Sequence, residues 1–166
     1  GDFTLLQSPT MLCGAVCLPI DFSALEATAA RVYEQIFNLS QGRHLHRIWQ
    51  FIPAINAITD GLENYQAYNK GRAAAFEKQF ASTAKQLIPA ASGVGTCGKQ
   101  LVLVFIAGHR PGQHLENPQQ TPAYDYPEKY GPRPPSFARA TVVPNDTLHA
   151  DRLYVSGTAS IRGSEN

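Results

Sequence analysis

Apolar and polar positions alternate in readable periods over the first two-thirds of the chain. Residues 3–7 and 11–18 are apolar runs separated by Ser8-Pro9-Thr10, a pattern that predicts a β-hairpin. In "DFSALEATAARVYEQIFNL", Leu25, Ala29, Val32 and Ile36 recur at helical spacing, so an amphipathic helix with one buried face is expected. Ser23 and Glu26 stand at capping-box spacing before it. "HLHRIWQFIP" is rich in aromatic and branched residues and closes on Pro53, which predicts a strand.

The same capping logic places the start of a second helix at Asp60 and Glu63. Leu62, Tyr65, Ala73, Phe76 and Phe80 are its apolar positions, and Gly71 is its weak spot. "PAASGVG" and "KQLVLVFIAG" predict two strands around a glycine-rich turn. The order up to Gly108 is β-β-α-β-α-β-β, an α+β fold with a mixed sheet and two helices on one face.

Periodicity then stops. Residues 109–135 read as an irregular connecting segment. "ENPQQTPAYDYPEKYGPRPPSFARAT" carries six of the twelve prolines, three tyrosines and two arginines. "SFARATVV" and "RLYVSGTASI" return to strand-like patterns, separated by Pro144-Asn145-Asp146. The division is residues 1–108, a connecting segment 109–135, and a third part 136–166. "LCGAVCLPIDFSA" and "LYVSGTASIRGSE" share a layout of apolar strand, central glycine, small residues, isoleucine and polar residues, as the opening strands of two repeated units would.

Composition narrows the chemistry. The chain has 166 residues, enough for a real core, and a formal net charge of +1. That charge gives no broad field for nucleic acid or membrane. No apolar run is long enough to span a bilayer, and the N-terminal residues lack a signal-like block, so a cytoplasmic protein is expected. Cys13 and Cys17 share one side of an expected strand and read as small buried hydrophobes rather than metal or redox ligands. "GVGTCGKQ" comes near a phosphate-binding loop. It has Gln100 where Ser or Thr would meet magnesium, and a strand follows where a helix is needed, so it reads as a tight turn. His44 and His46 share a face without a third ligand at metal-binding spacing. The connecting segment combines a stiff backbone, the aromatic faces of Tyr124, Tyr126, Tyr130 and Phe137, and the planar forks of Arg133 and Arg139. That mix suits a small, flat anion. A stiff linker or a subunit contact is the structural alternative.

Residues 12–108 resemble one unit of the YjgF/RidA superfamily. The likeness rests on "CGAVCLPI", "RIWQFIPAI", "GLENYQAYNKGRAAAF" and "ASGVG…LVLVFIAG". It implies trimer-like assemblies with clefts between units. The deaminase branch of that superfamily carries an arginine where this chain has Pro89 and Ala90, which argues against imine deamination. A sharper resemblance, carried by "ENPQQTPAYDYPEKYGPRPPSFARAT" and "LYVSGTASIRGSE", is to the chorismatases. It implies two such units in one polypeptide, with the connecting segment forming part of a pocket. There the enolpyruvyl ether of chorismate is cleaved to pyruvate and a dihydroxycyclohexadiene carboxylate or hydroxybenzoate, without metal or organic cofactor. Carried over residue by residue, Arg133 pairs with a substrate carboxylate, Tyr126 donates a hydrogen bond to it and Gly157 offers a backbone contact. Arg139 is a further substrate-side or structural candidate. The family's general-acid glutamate is expected beyond Asn166, since Glu165 comes too early, so this chain is expected to be inactive alone. The competing function is a non-catalytic module that binds a small anionic metabolite or mediates assembly.

Overall fold

The computed structural model describes residues 2–144 and 150–158. The strands of the first region are β1 (Thr4–Gln7), β2 (Met11–Pro19), β3 (His44–Pro53), the short pair β4 (Ile58–Thr59) and β5 (Leu62–Glu63), β6 (Ala90–Thr96) and β7 (Gln100–Gly108). Its helices are α1 (Leu25–Leu39) and α2 (Asn64–Phe80), the second followed by a 3-10 segment, Ala81–Leu87. Three short strands follow: β8 (Gln113–Leu115), β9 (Ala140–Val143) and β10 (Arg152–Val155).

Strand alternation decides where the core lies. Leu12, Val16 and Leu18 of β2 are buried, as are Leu101, Leu103, Phe105 and Ala107 of β7. These side chains form one core with Ala29, Val32 and Ile36 of α1 and Tyr68, Ala75 and Phe76 of α2. The five-stranded sheet runs β1-β2-β7-β3-β6, antiparallel except for the β3–β6 pair, so it is mixed, with two helices packed on it. Phe37 meets Phe76 and Phe80 edge-to-face, with centroids 5.0 and 5.1 Å apart, and locks the helix ends together.

Gly71 is no weak spot. It lies where α2 crosses α1, and a Cβ there would run into the Glu26 carbonyl oxygen. Its lower helix propensity is the cost of that close approach.

The helix starts differ from the sequence expectation. The Asp21 carboxylate, not a Ser23–Glu26 box, accepts from the Ser23 backbone N–H (3.1 Å) and hydroxyl (2.8 Å), and it caps a 3-10 turn ahead of α1. Asp60 sits at φ 52° in the turn between β4 and β5, and α2 begins at Asn64. The local hairpin takes the residues that capping logic assigned to the helix. Cys13 is half-buried and Cys17 exposed, so neither is a core residue; both point away from the helices.

The part after Gly108 is more regular than expected. Strand β8 lies inside the stretch read as irregular, and β10-β9-β8 form a three-stranded antiparallel sheet. This sheet docks on β6, which is the edge of the larger sheet. The Thr141 hydroxyl accepts from the Ala90 N–H (2.9 Å) and the Ser156 hydroxyl from the Ala91 N–H (2.8 Å). Side-chain hydroxyls thereby satisfy edge donors that would otherwise be open to another strand. The Asn145-Asp146 turn, the end of the last strand-like run at Ser160 and Ile161, and Glu165 lie outside the described residues.

Candidate functional site

Tyr126 and Arg139 come together through the connecting segment. Pro122 and Pro127 bracket Tyr126, and two 3-10 turns, Ala123–Asp125 and Glu128–Tyr130, fold the chain tightly around it. The Arg139 guanidinium is almost fully buried and serves as the hub. It donates to the Tyr126 hydroxyl oxygen (2.8 Å), the Thr121 carbonyl (3.1 Å) and the Thr158 hydroxyl. Its face lies over the rings of Phe137 and Tyr126, 5.2 and 5.9 Å from their centroids. Because Arg139 supplies a hydrogen to the Tyr126 oxygen, the phenol's own O–H is left to donate elsewhere.

Glu116 completes this cluster and was not singled out from the sequence. One of its carboxylate oxygens stands 3.9 Å from Arg139 Nε, beyond hydrogen-bond length. Both atoms are buried without a hydrogen-bond partner among the described residues. Burial pushes the Glu116 carboxyl up, and the nearby guanidinium only partly opposes it. In sequence it is one more acid in a polar segment; only the fold puts it beside Arg139.

Arg133 occupies a different place. Its two terminal nitrogens donate to the two carboxylate oxygens of Glu77 on α2, at 2.9 and 3.2 Å, a bidentate fork. Both side chains are 51% exposed. The pair lines a cavity of about 430 Å³ together with Tyr124, Lys85 and the apolar wall of Phe76 and Ile88. Lys85 is held by Asp125 at 2.6 Å. Two cations thus border one cavity, each paired to a protein carboxylate.

Gly157 belongs to a third group. Its N–H donates to the Ser92 hydroxyl (2.8 Å), which also accepts from Arg47 (2.6 Å). Another Arg47 nitrogen is buried without a hydrogen-bond partner among the described residues, and burial lowers the pKa of this guanidinium. Ser92 lies on β6, outside any stretch that the sequence marked as functional.

His46 is buried and its Nε2 bonds the Arg110 carbonyl (2.8 Å). His114 Nδ1 bonds the Thr141 hydroxyl (3.0 Å), and burial brings its pKa down to about 4. Among the described residues no group of three His, Cys, Asp or Glu side chains is placed to hold a metal ion. No helix among them is long and apolar enough to cross a membrane.

Residues 1–107 match the family model described as chorismatase FkbO/Hyg5-like, N-terminal. A 3-hydroxybenzoate synthase from Streptomyces hygroscopicus is 40% identical over 150 residues, which are 84% of this chain and 42% of that protein. A chorismatase from Streptomyces rapamycinicus is 38% identical over 164 residues, 96% of this chain and 48% of that protein. A crystal structure of a chorismatase superposes with a TM-score of 0.89 at 33% identity, covering 98% of this chain and 49% of that one. The chain therefore spans about half the length of the relatives it matches. On the family model and on identity across most of its length, it belongs to the chorismatase family.

Proposed function

We propose that this chain forms one wall of a chorismate-cleaving site in a longer, cytoplasmic enzyme built from two YjgF/RidA-like units, of which residues 1–108 are the first. The observation that carries the reading is the Arg133 fork. It already grips a carboxylate, that of Glu77, at the edge of a cavity that also offers Lys85 and the Tyr124 ring. An ion pair this exposed is worth only about 0–1 kcal/mol. A substrate carboxylate can therefore take the place of Glu77 at little cost. Chorismate carries two carboxylates, and Tyr126 has a phenolic hydrogen to donate to one of them. Gly157 adds a backbone contact. Arg139 holds Tyr126 in place rather than meeting substrate. The remaining half of the protein supplies the second unit, including the proton donor to the enolpyruvyl part. The products are pyruvate and a dihydroxycyclohexadiene carboxylate or a hydroxybenzoate.

The test is pyruvate release from chorismate by the full-length protein that contains this chain. Absence of turnover sinks the reading. In that protein Arg133→Ala is expected to lower kcat/KM by about one to two orders of magnitude, and Arg133→Lys to recover only part of the loss, since lysine keeps the charge but not the fork.

A second reading is favoured by one detail: the forks of both arginines have protein partners, Glu77 for Arg133 and the connecting segment itself for Arg139. A non-catalytic module that binds a small anionic metabolite fits that arrangement. It predicts chorismate binding without pyruvate release.

A further inference from the structure

A second cavity, of about 450 Å³, lies at the far end of α1 and α2, between the turn that follows α1 and the strand β8. None of the residues assigned above to chorismate lines it. Its apolar wall is Phe37 and Phe80, edge-to-face at 5.1 Å, flanked by Leu45 and Leu87. The turn that follows α1 sets its polar side. Ser40 caps the helix by bonding the Ile36 carbonyl, Gly42 takes a φ of 73°, and the chain reverses so that Arg43 lines the cavity. Arg43 Nε is buried and has no hydrogen-bond partner among the described residues.

His114 lines the opposite side. The Thr141 hydroxyl oxygen accepts from the Ala90 N–H, and the same hydroxyl shares a hydrogen bond with His114 Nδ1. In the tautomer whose Nδ1 accepts from that hydroxyl, a neutral His114 carries its hydrogen on Nε2, as a donor. No aspartate or glutamate is among the described lining residues. The cavity therefore pairs an aromatic wall with one guanidinium, the imidazoles of His44 and His114 and neutral amides, with no carboxylate side chain among its described lining residues.

We propose that this cavity is a second small-molecule site and that it takes a small aromatic monocarboxylate. A planar ring extends the edge-to-face packing of Phe37 and Phe80. A single carboxylate matches a single guanidinium with an unused N–H, whereas a phosphate or a dianion would want a second cation. A hydroxybenzoate, the kind of product that one relative is named for, has this chemistry, so the site would let an aromatic acid act on the protein away from the Arg133 cavity. The inference stands whether or not chorismate is the substrate.

The test is a titration of the isotopically labelled 166-residue chain with benzoate, followed by amide shifts, with benzamide as the uncharged comparison. Benzoate is expected to move the amides of Arg43, Leu87 and Gly112 with a dissociation constant on the order of 1 mM, as suits so small a ligand. Benzamide and the Arg43→Gln variant should each bind about tenfold more weakly. Leu87→Trp, at a position 37% exposed, should fill the cavity and abolish the shifts; retained spectral dispersion shows that it folds. Arg133→Ala should leave benzoate binding within about twofold. No saturable shift with benzoate overturns the proposal. So does binding that survives Arg43→Gln, or binding that Arg133→Ala removes.

Discussion

The layer of sheet and helices and the segment that follows Gly108 are held by different forces. In the first, twenty-one buried apolar side chains form one core, and its aromatic residues interlock at centroid distances of 5.0–6.3 Å. In the second, the buried apolar residues are few and mostly small, Ala123, Ala138 and Val143, and the polar Arg139, Thr141, Ser136 and Ser156 are buried beside them. Arg139, Thr141 and Ser156 are held by directed hydrogen bonds to backbone and side chains, and Ala90 and Ala91 of β6 are the anchor. Apolar burial is non-directional and tolerates repacking, whereas a polar hub works only while every partner is in place. A scaffold of the first kind can carry a site of the second kind. The rigid sheet edge supplies fixed donors, and the loop folds onto them.

The largest expected effect lies in the scaffold. Phe76 is buried and touches Tyr33, Phe37 and Phe80. Phe76→Ala should cost about 3–5 kcal/mol. Denaturant unfolding checks this, and both regions should lose protection together, because the second has no core of its own. A loss under about 1 kcal/mol would mean that the helix layer is not the scaffold.

This contrast also explains what could be read from sequence. The order of strands and helices through Gly108, and the inward faces of α1 and β7, are legible because burial imposes a period on Leu25, Ala29, Val32 and Ile36 and on Leu101, Leu103 and Phe105. Asp60 and Glu63 misled because a two-residue β-hairpin and a helix start use the same residue types. Strand β8 was missed because three residues carry no period. In the site, Tyr126, Arg133 and Arg139 stand out by type. The partners Glu77 of Arg133, Glu116 of Arg139 and Ser92 of Gly157 do not, since an ordinary helix acid, loop acid and strand serine become partners only through contacts distant in the chain.

Next in size is a cut through the docking contact. Thr141→Val keeps the shape but strips the hydroxyl from the Ala90 N–H and from His114. Leaving buried groups unpaired should cost about 1–3 kcal/mol. The difference between the two regions predicts how it is lost: amide exchange should rise at Ala90 and along β8 and β9 while Phe105 and Val32 stay protected. Uniform loss of protection would show one cooperative unit with no separable second region.

A smaller effect is expected from acid. Folded His114 titrates near 4 and its unfolded counterpart near 6.5, so between those values the unfolded chain binds the extra proton. Stability is therefore fully present above about 6.5 and falls as pH drops towards 4. His46, whose pKa burial also lowers, acts in the same direction. Glu116 acts against them: its folded pKa is raised, so its contribution is present at low pH and is lost as pH rises through that value. His114 keeps some solvent access, which reduces the net loss to about 1 kcal/mol, or about 2–4 °C in Tm between pH 7 and 4.5. His114→Gln should flatten the profile, and Glu116→Gln should steepen it. An unchanged profile in His114→Gln would show that β8 does not bury this ring in solution.

The smallest expected effect falls on Arg133, and there the comparison is sharpest. Arg133 and Glu77 make the best bidentate geometry joining the connecting segment to α2, yet both side chains are half exposed. Water and salt screen such a pair, and holding two long side chains in one geometry costs entropy. Glu77→Ala and Arg133→Ala should each change unfolding free energy by less than about 0.5 kcal/mol, and the double variant should show almost no coupling beyond the sum. Arg139 has the same fork but is buried among oriented partners, so Arg139→Ala should cost several times more. The two arginines lie six positions apart in the chain, and stability measurements on these variants separate their roles. A large, coupled loss at Arg133 and Glu77 would make that pair the tether of the segment, and the carboxylate-exchange argument for a substrate would fail with it.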